Sequence, residues 1–497
     1  MYDNKKITKE SLDFDLPEFQ SILNKSTELI LRQYQAVEDQ KGFHDIAQKE
    51  VETWFDEKVP PEGMPTDALF QLVEDKIFAT ATGNLGPHMY GYVMSGGNQM
   101  GIIGDKLTAA INQNVAKWHL SPSLTEIDKR VIQWAAEITG YGQKVGGFIG
   151  SSGSSANLDG LTVARNIFFE KYDVRNKGLF GHQPFTVYCS TETHSSIDKS
   201  IQLLGIGSDH LRKIPVNDDF TVNLEMLEQK IKQDLENDYL PFCIVGNAGT
   251  VNTGAIDDLT ALANCAKTHK MWFHIDGCYG GLASSLASKK QLYKGINLAD
   301  SLALDFHKWL YQPFEVGCVL VKNWGLMKNA YFEKASYLDK SLEKKDGRLE
   351  LNEHHFLLSR SAKSLKVWMT LKAYGLEKIK RMIQKDIDLT NYLKEKIVTA
   401  HDFELIADSH LAICCFRFKG SLTHENDIIS LNEKLIPALE KDGRVFITST
   451  KINGNVVLRA CINNHRKTIA STNYLLEVVR NVGQRLIDEL EERPIIL

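Results

Sequence analysis

The sequence has no Cys-x-x-Cys pair, no uncharged apolar run of membrane-spanning length, no excess of basic charge and no internal repeat or low-complexity tract. Each absence narrows what the chain can be. Its eight cysteines are scattered, and the only close pair is the adjacent Cys414-Cys415. That is neither a cysteine zinc site nor a disulfide framework, so no metal is expected. Crossing a bilayer takes about twenty consecutive apolar residues, which the chain lacks, and residues 1–10 have no apolar signal-peptide core. No membrane partner is expected, and a reducing cytoplasm fits best. The 58 basic and 63 acidic residues give a net charge of −5 and a pI near 6.3. Without a basic stripe, nucleic acid is a poor partner and a small molecule a simpler one.

The 497 residues, 43% hydrophobic and 24% charged, describe a globular chain too long for one ordinary core. Two segments concentrate chemistry. Met271-Trp-Phe-His-Ile and Ser301-Leu-Ala-Leu are apolar strands that end abruptly, the first in Asp276-Gly-Cys-Tyr-Gly-Gly and the second in Asp305-Phe-His307-Lys308-Trp309. Strand ends of this kind are where α/β sheets bind ligands. A lysine there can lose its proton through desolvation and become a nucleophile toward carbonyl carbon. An aspartate on the neighbouring strand suits a protonated pyridine nitrogen. Together they suggest pyridoxal phosphate.

Three further segments have the same form. Gly146-Gly-Phe-Ile-Gly150 runs into Ser151-Ser-Gly153-Ser154-Ser-Ala-Asn157, after which Leu161, Ala164 and Phe168 recur at helical spacing. A glycine-serine helix start is an anion site by virtue of its free N–H groups and the helix dipole. Phe185–Ser190 is a strand leading to His194, and Leu240–Val245 a strand leading to Gly249-Thr250-Val251. Strand, polar end and helix in repeated order predict a mostly parallel sheet with right-handed crossovers.

These motifs, in this order from about Pro87 to the C-terminus, resemble the group II pyridoxal-phosphate-dependent amino-acid decarboxylases, the family of the aromatic-L-amino-acid, histidine and glutamate enzymes. The resemblance implies an α/β fold of the PLP-dependent transferase type (fold type I). Residues 1–100 would form a helical dimerisation segment, 101–375 the large cofactor domain and 376–497 a small α+β domain. It implies a homodimer with shared active sites and Lys308, His194 and Asp276 as catalytic residues. Gly153, Ser154, Thr250, Cys278 and His307 join them around pyridoxal 5'-phosphate. The implied reaction converts an L-amino acid to its amine and carbon dioxide. An aldehyde-forming or transaminating enzyme and a non-catalytic cofactor-binding homologue are the alternatives.

Substrate contacts are expected from His88 and Tyr92, in a glycine-rich aromatic loop, and from Arg459, in the strand Val456-Val-Leu-Arg-Ala-Cys-Ile. In glutamate-acting relatives the arginine matching Arg459 holds the substrate carboxylate. Family members carry a tyrosine in the loop corresponding to Ser341–Glu350 that returns a proton to the substrate carbon. Here there is none between Tyr337 and Tyr374, and either His354 or His355, just beyond, could supply the proton instead.

Overall fold

A computed structural model describes residues 11–333 and 348–491. The expected large sheet has seven strands: β1 (Gly146–Gly150), β2 (Phe185–Ser190), β3 (Leu211–Ile214), β4 (Leu240–Asn247), β5 (Trp272–Asp276), β6 (Ser301–Asp305) and β7 (Gly317–Val321). Their spatial order is β1-β7-β6-β5-β4-β2-β3. Strands β6, β5, β4, β2 and β3 are parallel, whereas β7 is antiparallel to both its neighbours. Being antiparallel to β7 as well, β1 runs with β6, so its C-terminal end joins those of β4, β5 and β6 at one edge.

The central strands β4, β5, β6 and β7 are almost wholly buried because both faces are covered, whereas the edge strand β3 leaves Lys213 exposed. The helix Gly153–Phe168 packs on β6 and β7, its Ala156, Gly160, Leu161 and Ala164 buried along one stripe. It starts where it does because Ser152 and Ser155 form a reciprocal capping box, each side chain accepting the other's backbone N–H.

A second, antiparallel sheet follows, ordered β10-β11-β9-β8, from β8 (Phe403–Ala407), β9 (Ile413–Phe418), β10 (Thr448–Ile452) and β11 (Asn455–Cys461). The helices Glu425–Asp442 and Ile469–Glu491 pack together beside it. Leu302 and Leu304 of the first sheet share one buried cluster with Cys414, Phe416 and Leu458 of the second. The N-terminal stretch is helical, as its spacing suggested. Yet the helix Leu16–Gln35 buries only Leu29 and leaves Leu16, Phe19 and Leu31 exposed. Tyr337 and positions 341–347 of the charged loop lie outside the described residues.

Candidate active site

Register assembles the site. Asn247 pairs with Asp276, Asp276 with Ala303, and Gly317 with both Asp305 and Gly150, so the polar ends of four strands meet. Gly317 has to be glycine, since a Cβ there would lie 2.4 Å from the Ser152 backbone. From β6 the chain turns through Phe306–Trp309, which projects Lys308. The turn is fastened from behind by the Ser95 hydroxyl, donating to the His307 carbonyl at 2.6 Å, and by Asn98 Nδ2, donating to the Tyr311 carbonyl at 2.7 Å.

A cavity of about 360 Å³ opens at this edge, lined by all eight residues expected around the cofactor: Gly153, Ser154, His194, Thr250, Asp276, Cys278, His307 and Lys308. The Gly153 and Ser154 amides, at the first helical positions, have no carbonyl within the helix to bond. A Cβ on Gly153 would come within 2.5 Å of Cys278 Sγ, so the floor of the cavity is as close as backbone permits. Thr250 is held by the Thr253 hydroxyl at 3.1 Å and by the Ala255 N–H, which donates to it at 3.1 Å.

Asp276 is ionised. Burial pushes its pKa up, but hydrogen bonds from Cys278 and the charge on Lys308 more than offset this and hold it below the usual carboxylate value. Asn157 Nδ2 donates to one carboxylate oxygen at 3.0 Å and the Cys278 N–H to the other at 3.1 Å. With its Nδ2 donating, Asn157 accepts through Oδ1 from His274 Nε2 at 3.0 Å. His274, its pKa lowered to about 4 by burial, is therefore the neutral Nε2–H tautomer. Nothing in the sequence singled out Asn157, although a polar side chain on the stripe shared by Leu161 and Ala164 was a usable signal.

His194 is likewise neutral, with burial lowering its pKa. The Ser196 N–H donates to its Nδ1 at 3.1 Å, which leaves the ring proton on Nε2. Lys308 corrects an expectation. Burial does push its pKa down, but the neighbouring carboxylates of Asp305 and Asp276 outweigh it and raise the pKa above the ordinary lysine value. Asp305 Oδ2 lies 3.6 Å from the amine. The other Asp305 oxygen is 2.8 Å from His307 Nδ1.

The cavity fits pyridoxal phosphate: a helix start for the phosphate, an ionised carboxylate for a ring N–H, a neutral imidazole and one amine for the aldehyde carbon. The residues expected at the substrate do not line it. His88 packs on the Tyr474 ring at 5.0 Å, and Tyr92 is 59% exposed. Arg459 is buried and donates to the backbone carbonyls of Tyr92 at 3.0 Å, Asn252 at 3.1 Å and Val251. The histidines proposed as proton donors are also engaged elsewhere. His355 Nε2 is 2.9 Å from Asp159 Oδ1 with its ring stacked on Phe148, and His354 Nδ1 donates to the Glu350 carbonyl at 2.8 Å. Both are buried by these contacts and neither reaches the cavity.

Comparison with known proteins agrees with this geometry. The profile of the pyridoxal-dependent decarboxylase conserved domain matches residues 48–419. An aromatic-L-amino-acid decarboxylase of Bacillus atrophaeus is 28% identical over 474 residues, covering 95% of this chain and 96% of the relative. A phenylacetaldehyde synthase of Arabidopsis thaliana is 28% identical over 442 residues, covering 86% and 88%. In fold, the chain superposes on Oryza sativa TDC solved with PLP and tryptamine at a TM-score of 0.90 and 22% identity, covering 96% of this chain and 100% of that one. With strand ends, cavity and sequence profile in accord, the chain belongs to the pyridoxal-phosphate-dependent amino-acid decarboxylases and is an enzyme of that carboxy-lyase chemistry.

Proposed function

We propose that this enzyme decarboxylates an aromatic L-amino acid to its amine, with Lys308, Asp276 and His194 as its catalytic residues. The observation that carries the substrate class is Arg459. A guanidinium suited to a carboxylate side chain is here bound to three backbone carbonyls, and the cavity lining includes Tyr279 and Phe314 with the acidic Glu315. An acidic substrate finds no free guanidinium among the described lining residues, and an aromatic one finds rings to pack on. The aromatic-L-amino-acid decarboxylase among the relatives points the same way.

When bound, pyridoxal phosphate supplies the electron sink for the charge left on the α-carbon as carbon dioxide departs. The residues would divide the remaining work. Lys308 would hold the cofactor through its aldehyde carbon. Asp276, fixed by Asn157 and the Cys278 amide, holds a proton on the ring nitrogen. His194 would meet the ring with a neutral imidazole, and the amides of Gly153 and Ser154 with His307 would hold the phosphate. Burial of this edge excludes water and orients the breaking bond.

A second reading, aldehyde formation, is favoured by the missing tyrosine between Tyr337 and Tyr374 and by the phenylacetaldehyde synthase relative. It would consume dioxygen and release ammonia and peroxide with the aldehyde. Assaying carbon dioxide, amine, aldehyde and peroxide together separates the two. We also infer a homodimer in the cytoplasm. The exposed Leu16, Phe19 and Leu31 support a partner, and eight free buried cysteines support a reducing compartment.

Two substitutions test the supporting residues. An unpaired Asp305 carboxylate facing a phosphate would cost roughly 4 kcal/mol at 4 Å in an effective dielectric of 20. Because the Lys308 nitrogen lies 3.6 Å from it as a cationic partner, Asp305→Asn should leave the cofactor dissociation constant unchanged or slightly raised. Tightening of about tenfold, or ~1.4 kcal/mol, would mean that repulsion was present. Arg459→Met keeps bulk but orphans three carbonyls, each costing about 1 kcal/mol or more when buried. Denaturant unfolding should show a loss of about 3 kcal/mol, with KM rising more than kcat falls. Full stability with altered preference between acidic and aromatic substrates would instead make Arg459 a substrate ligand.

A further inference from the structure

Far from the cofactor cavity, two helices on the outer layer bring three side chains with metal-ligating atoms together. Glu228 comes from the helix Leu224–Glu236, Cys265 from the helix Leu259–Thr268, and His269 caps the latter. Cys265 and His269 are four residues apart and so share one helix face. The neighbouring helix presents Glu228 to that face, with its Oε2 2.9 Å from His269 Nε2. One oxygen, one ring nitrogen and the cysteine sulfur all lie within 4.8 Å of one another. An ion at about 2.0–2.3 Å from each ligand atom fits between them with small side-chain adjustments.

We propose that Glu228, Cys265 and His269 form a zinc site that clasps these two helices. Thiolate, imidazole and carboxylate are together the ligand set of Zn²⁺ rather than of magnesium or calcium, which prefer oxygen alone. Partial exposure of Glu228 and His269, at 39% and 15%, gives the ion a route in and leaves a fourth position for water. Cys265 is buried, so the thiolate end is shielded. Binding releases the thiol proton to solvent, with no change of oxidation state. The clasp sits where the second helix passes through Lys270 into β5, the strand ending in Asp276. It would fix the entry of that strand without touching the reacting atoms. A search for cysteine pairs alone misses it, since its partners are a histidine one turn away and a glutamate thirty-seven positions upstream of Cys265.

The test uses the holoenzyme, purified without chelator. Zinc content and Zn²⁺ titration should give one equivalent per chain with a dissociation constant of about a micromolar or tighter. Cobalt(II) in its place should show the visible bands of a four-coordinate ion with a thiolate ligand. Cys265→Ala and His269→Gln should each weaken binding by about 100-fold or more, while cofactor absorbance and turnover stay as in the parent. Using two variants on one helix keeps the test valid if either folds poorly. Failure of the parent to bind zinc at micromolar concentration, or full binding retained by a folded variant, would overturn the proposal.

Discussion

Replacing Lys308 with alanine should lower turnover by about 10⁴-fold or more, equivalent to roughly 5 kcal/mol of barrier, while the protein stays folded. The side chain leaves a short turn whose apolar neighbours, Phe306 and Trp309, do the packing, so little core is lost. What is lost is the only lysine lining the cavity among the described residues. In the parent, borohydride should fix the cofactor to the peptide containing Lys308, and in the variant to none. Label on a different lysine would move the site. Collapse of solubility would give Lys308 a structural role.

Asp276→Asn should retain cofactor yet cut kcat by about 100-fold or more. The reason is electrostatic: each unit by which a carboxylate raises the ring nitrogen pKa is worth about 1.4 kcal/mol, or tenfold in rate when fully expressed in the transition state. An amide exerts no such charge. It would also turn one of its ends toward a like group, because Asn157 Nδ2 and the Cys278 N–H both donate to the native carboxylate. Measured per mole of bound cofactor, a kcat near that of the parent would reject the pyridinium role.

The parts of this site that could be read in the sequence are those where an apolar strand stops at a polar residue. Lys308, Asp276 and His194 stand out for that reason, and Gly153 and Ser154 for the glycine-serine helix start. Their convergence followed from parallel strands sharing an edge. The antiparallel course of β7 was not legible, because a run such as Gly-Cys-Val-Leu-Val carries no mark of direction. Nor was the charge on Lys308. Local sequence shows an apolar frame, and burial does press the amine toward neutrality, but Asp305, which the helical turn folds back to 3.6 Å, and Asp276 together outweigh it.

Arg459 shows the same limit from the other side. A buried arginine in a strand demands acceptors, and the sequence suggested a carboxylate. The acceptors are the backbone carbonyls of residues 92, 251 and 252, whose position only the tertiary fold determines. The exposed leucines and phenylalanine of the first helix were similarly ambiguous, since helical spacing describes a buried face without saying which chain buries it.

The most direct measurement is product analysis of the holoenzyme with a panel of L-amino acids, following carbon dioxide, amine and aldehyde in one reaction. The expected result is equal release of carbon dioxide and amine from at least one of tryptophan, tyrosine and phenylalanine, with glutamate turned over about 100-fold less efficiently, a difference of ~2.7 kcal/mol. Preference for glutamate, or carbon dioxide accompanied by aldehyde in place of amine, would contradict the account.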